Sequence, residues 1–61
     1  MIQMDEHVIA EAILVDIVRQ SNSDAYDAPW IDEFRDIHDT NIDGHVNLVE
    51  IARAIITAIN P

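Results

Sequence analysis

The chain has a single glycine, Gly44, within the run DTNIDGHVNLVE at 39–50. Glycine turns through positive φ at little steric cost, so this chain has one cheap place for such a turn. Around it stand Asp39, Asn41, Asp43, Asn47 and Glu50, the first, third, fifth, ninth and twelfth positions of the run. A hard dication such as calcium takes about six to eight oxygens at about 2.3–2.6 Å, and a short loop supplies them when alternate residues point inward. The spacing therefore predicts a cation loop. Asp39, Asn41 and Asp43 give side-chain oxygens, and His45 gives its backbone carbonyl. Asn47 acts through a water, and Glu50 closes the sphere with both carboxylate oxygens.

Size makes such a staple useful. With 61 residues the chain is one domain near the lower limit for folding alone. Small scaffolds add disulfides, a metal or a partner subunit, and the absence of cysteine leaves the last two. The net charge of −9, with only Arg19, Arg35 and Arg53 as fixed cations, argues against nucleic-acid binding, because phosphate backbones would be repelled. A hydrophobic content of 49% is too high for an acidic disordered tail, so the chain is expected to fold. No run reaches the roughly 18 apolar residues of a membrane span, and MIQMDEHV lacks the basic-then-apolar order of a signal peptide. Compartment stays open.

Three helices are expected. Over 5–20, Ile9, Ile13 and Ile17 recur every four residues beside Ala10, Leu14 and Val18, with no Gly or Pro. The β-branched stretch AILVDIV also suits a buried strand; length favours the helix. Residues 21–28, rich in Ser, Asn and Asp, read as a linker, since these side chains bond their own backbone. Asp27 ahead of Pro29 is a helix-start signal for a second helix at 29–38, with Trp30, Ile31, Phe34 and Ile37 inward. A third, at 48–59, carries its polar residues Glu50, Arg53 and Thr57 in one narrow stripe and is apolar elsewhere, which demands burial on several sides.

With these flanks the 39–50 run resembles the EF-hand family, whose pattern D-x-[DN]-x-[DN]-G-x5-E it matches at every constrained position. The resemblance covers about 29–59. It implies an all-α, three-helix domain with one EF-hand helix-loop-helix at 29–60, calcium (Ca2+) as the ion, and a short β-bridge at Val46 toward a neighbouring loop. His38 and Ile42 depart from the family's usual apolar and polar residues at their positions. Three ionised ligands, Asp39, Asp43 and Glu50, imply an affinity on the order of 10⁻⁶ to 10⁻³ M.

EF-hands work in pairs, and a shift of 38 residues aligns Asp5, His7, Val8, Ile13 and Ile17 with Asp43, His45, Val46, Ile51 and Ile55. The 1–20 segment then reads either as a plain helix or as a degenerate half-hand, with Met1, Gln3 and Ala12 where ligands would stand. Dockerins look similar in outline, but Leu48-Val49 replaces their usual polar pair. His7, His38 and His45 lack zinc-type spacing, and no nucleophile motif or phosphate loop is present, so the chain reads as a non-enzyme. Two functions remain. One is a calcium-dependent module presenting an apolar helical face to a protein partner or to itself, as a homodimer in which Val46 meets its own copy. The other is an acidic inhibitor or adaptor, with nucleic-acid mimicry as one form of it, whose Asp24, Asp27, Asp32, Glu33, Asp36, Asp39 and Asp43 engage a basic groove while calcium is only structural.

Overall fold

The structure is a computed structural model that describes residues 5–60. Helix α1 spans Glu6–Ser21, strand β1 Trp30–Ile31, strand β2 Ile42–Asp43 and helix α2 Leu48–Ile59. The fold is thus mostly helical, with two helices and a two-stranded antiparallel sheet in place of three helices. The proposed ligand equivalents Met1 and Gln3 of a degenerate first hand lie outside the described residues.

Both helices begin with the side-chain caps their sequences offer. Asp5 accepts the His7 amide at 2.8 Å, with Glu6 placing negative charge in the first turn of α1. Asn47 accepts the Glu50 amide at 3.2 Å. α2 has the expected bounds, and α1 lies one residue later than the 5–20 reading.

The helix expected at 29–38 is absent, and local polar chemistry explains why. Asp32 Oδ1 accepts the Phe34 amide at 3.0 Å, and Asp36 Oδ1 accepts the His38 amide at 2.9 Å. Each carboxylate thereby closes a turn on the amide two residues on, a direct competitor of the helical ladder. The segment forms a hairpin instead. Trp30 pairs with Asp43 and Ile31 with Ile42, the Asp32 amide donates to the Asn41 carbonyl at 3.1 Å, and the Asp39 amide closes the turn on the Asp36 carbonyl at 3.0 Å. The β-bridge expected at Val46 is likewise displaced: the ladder runs through Ile42 and Asp43, and Val46 packs against the core.

That core is small. Ile17 of α1, Ile31 of β1 and Ile51 of α2 are its buried hydrophobics, with Ile13, Leu14, Val18, Val46 and Ile55 half-buried around them. One face of α1 therefore carries both the hairpin and α2. The Cα envelope measures 39 × 22 × 13 Å, an elongated and flattened shape rather than a round one. Such a shape covers each helix on one side only. Phe34 at 87% exposure, Leu48, Val49 and Ile56 remain in solvent, and so does most of Trp30.

Candidate metal centre

In the second half of the 39–50 run the turn at Gly44 and the start of α2 stand where the sequence reading places them. Gly44 turns at φ +103°, a backbone conformation that favours glycine, while a Cβ built there would make ordinary contact with Pro29 Cα at 3.4 Å. α2 starts four residues later and carries Glu50 in its first turn. His45, Asn47 and Glu50 line one open cleft of about 630 Å3 between the end of α1, the 23–29 loop and the start of α2.

The first half is built differently. Asp39 sits in the hairpin turn, Asn41 gives its carbonyl to Asp32, and Asp43 lies in β2 opposite Trp30. Successive residues of an extended chain alternate sides, so a spacing of two places Asp39, Asn41 and Asp43 along one side of this limb, as readily as it would point them into a wrapped loop.

As placed, these residues do not fit a calcium ion. Among the described residues no three of Asp, Glu, His or Cys converge closely enough to hold one. The donors that are well placed already have partners. Arg19 Nη2 donates to Glu50 Oε1 at 2.8 Å, the Asn47 side-chain oxygen caps α2, and the Asn47 carbonyl accepts from Gln20 Nε2 at 3.1 Å and from the Ile51 amide at 3.2 Å.

Behind this contact lies a polar clamp that sequence reasoning missed. Asp16 and Gln20, one helical turn apart, are both buried although both are polar. Asp16 Oδ1 accepts from Arg19 Nε and Asp16 Oδ2 from Gln20 Nε2, each at 2.9 Å. Gln20 Oε1 in turn accepts the Asn47 amide at 2.8 Å. The side-chain amide of Gln20 thus mimics a neighbouring strand for Asn47, and no buried side-chain polar atom among the described residues is left without a partner. The available signal was the spacing: a polar i,i+4 pair flanking Ile17 on the inward side of α1 requires partners from another element.

The hydrogen bond from Arg19 holds the Asp16 carboxyl below its ordinary range; burial opposes this and the Gln20 amide assists. A carboxyl with a depressed folded-state pKa stabilises the fold above its unfolded value of about 3.9 and loses that contribution as pH falls through the folded value. Asp16→Asn should therefore destabilise at pH 6, where an amide meets the Gln20 amide donor to donor. The gap to the native chain should shrink on approaching pH 3. Urea unfolding of both proteins at the two pH values measures it, and an equal gap at both contradicts the assignment.

No known protein family, no characterised protein and no solved structure matches this chain in comparison.

Proposed function

We propose that this protein is a calcium-responsive interaction module without catalytic activity, and that two copies pair through the outer face of α2. The observation that carries the calcium reading is the half-formed loop: the positive-φ turn at Gly44, followed at the expected interval by a helix with Glu50 in its first turn. Taking up the ion asks this chain to release two contacts, Asp32 to Asn41 in the hairpin and Arg19 to Glu50, so that Asp39, Asn41 and Asp43 can turn toward Asn47 and Glu50. Zinc and nucleic acid fit less well, given the histidine spacing and the net charge of −9. Among the described residues no helix is long and apolar enough to cross a membrane.

The pairing surface follows from burial and charge. Ile51 and Ile55 turn toward α1, while Leu48, Val49, Ala52 and Ile56 stay exposed along the other side of α2. Of the chain's 12 acidic residues, Glu50 alone lies on α2, so two copies meet there with little carboxylate repulsion. The hairpin already gives β2 a partner within the chain, so the helix face, rather than Val46, is the contact. Sedimentation of the full chain at micromolar concentration tests this: a dimer with calcium and a shift toward 6.9 kDa with chelator are expected. Ile56→Gln should keep the fold and abolish pairing. A monomer under both conditions overturns the pairing.

A second reading has its own observation. The hairpin closes through backbone hydrogen bonds and carries Glu33, Asp36, Asp39 and Asp43 exposed, beside Asp24 and Asp27 on the preceding loop. This acidic edge suits a basic groove on another protein, and such a complex would weaken steeply with salt, unlike an apolar dimer.

A further inference from the structure

Between α1 and the hairpin lies a second cleft, of about 220 Å3. Ala10, Ile13 and Ile17, three and four residues apart on one face of α1, form one wall, and Ile37, Thr40 and Ile42 of the hairpin form the other. An aliphatic cavity of about 150 Å3 is enough to hold benzene, so this cleft has room for one ring with a short arm. Thr40 is the one polar side chain among the described residues that line it. Its hydroxyl donates to the Asp36 carbonyl, and a hydroxyl whose proton is spent has only acceptor lone pairs left to offer. The hairpin wall is acidic at every step: exposed Asp36 precedes Ile37, exposed Asp39 precedes Thr40 and exposed Asp43 follows Ile42. On α1, exposed Glu6 stands one turn ahead of Ala10. Arg35 is the fixed cation of the hairpin, and its guanidinium donates to the Asp32 carbonyl at 3.0 Å.

We propose that this cleft binds small amphipathic cations, molecules with a primary ammonium on an aryl or short alkyl body. The body enters between the isoleucines and takes apolar surface of both partners out of water. The ammonium stays at the hairpin rim, where it donates to the Thr40 hydroxyl and lies in the field of Asp36, Asp39 and Asp43. An anion of the same shape meets those carboxylates as a like charge, and the described lining offers it no side-chain donor. The site uses no metal ion and shares no lining residue with the cleft beside Glu50.

The test is a titration of the full chain, in chelator and at pH 8, with 2-phenylethylammonium, 2-phenylethanol and 3-phenylpropanoate, followed by amide and methyl resonances. Chelator keeps the outcome independent of the calcium reading. The ammonium should shift Ala10, Ile13, Ile37, Thr40 and Ile42 with a Kd on the order of 1 mM. The alcohol should bind about threefold to tenfold more weakly and the carboxylate more weakly still, with the gap narrowing in roughly 0.5 M salt. Ala10→Leu fills the α1 wall without touching Ile17, Ile31 or Ile51, and should abolish binding while the fold persists. Thr40→Val keeps the volume and removes the acceptor, so it should cost the ammonium about threefold, more than it costs the alcohol, and Thr40→Ser should restore the loss. This pair carries the test if Ala10→Leu does not fold. Equal affinities for the three ligands overturn the proposal, as do native affinity in Ala10→Leu, shifts centred on Leu48, Val49 and Ile56 of α2, or no shift at the cleft with the ammonium at roughly ten times the expected Kd.

Discussion

Ile51→Ala is expected to remove a large fraction of the stability of the fold and to lower its melting temperature steeply. Ile51 is 7% exposed and joins Ile17 of α1 and Ile31 of β1 in the core that holds helix, hairpin and second helix together. Trimming a buried isoleucine to alanine costs about 2–4 kcal/mol through lost transfer energy and the cavity left behind. A domain of this size has about 3–9 kcal/mol in total. The melting temperature should fall by about 10–25 °C. Circular dichroism at 222 nm against temperature reads it directly. A loss of under about 5 °C would mean that the three-isoleucine cluster is not where the stability lies. Phe34→Ala makes the contrast, because Phe34 is almost wholly in solvent. Its stability should change by less than about 0.5 kcal/mol, whereas a 29–38 helix would have made it a core residue.

The second large effect concerns the cation. Glu50→Gln removes the one ligand assigned to give both of its carboxylate oxygens, and calcium affinity should drop by about two orders of magnitude or more. Asp39→Ala should do the same through loss of the first position. His45→Ala should stay within about twofold, since only its carbonyl is assigned to the ion. Calorimetry with equal losses for Glu50→Gln and His45→Ala would refute this ligand set. Magnesium should bind less well than calcium throughout, because it gives up water reluctantly and demands a tighter octahedron.

These expectations separate what could be read along the chain from what could not. α2 was legible to its ends because its apolar period and the terminal Asn60-Pro61 pair agree; the Asn47 cap that starts it was read only as a cation ligand. Gly44 was legible because a lone glycine in an Asn/Asp-rich run has one obvious purpose, and its φ of +103° fulfils it. The 29–38 segment misled for two reasons. Trp30, Ile31, Phe34 and Ile37 fit a helical stripe, while a two-residue strand is too short to show alternation. Pro29, read as the first residue of a helix, instead leads into β1, and Asp32 and Asp36, read as solvent-facing helix residues, spend their carboxylates closing turns. The site was half legible for a related reason. A spacing of two is shared by a wrapped cation loop and a hairpin limb, and only the contacts of Asn41 and Asp43 distinguish them. The clamp of Asp16, Arg19 and Gln20 joins positions up to 31 apart, and no local pattern announces a pairing at that distance.

The central claim, that calcium remodels 39–50, is tested most directly by following the backbone amide resonances of the full chain during a calcium titration. The account predicts changes that saturate near one equivalent of bound ion. They should be concentrated in the hairpin limb from Asp39 to Asp43 and at Asn47 and Glu50, with Arg19 and Gln20 shifting as their contacts open. A spectrum that stays folded and unmoved at several millimolar calcium would contradict it.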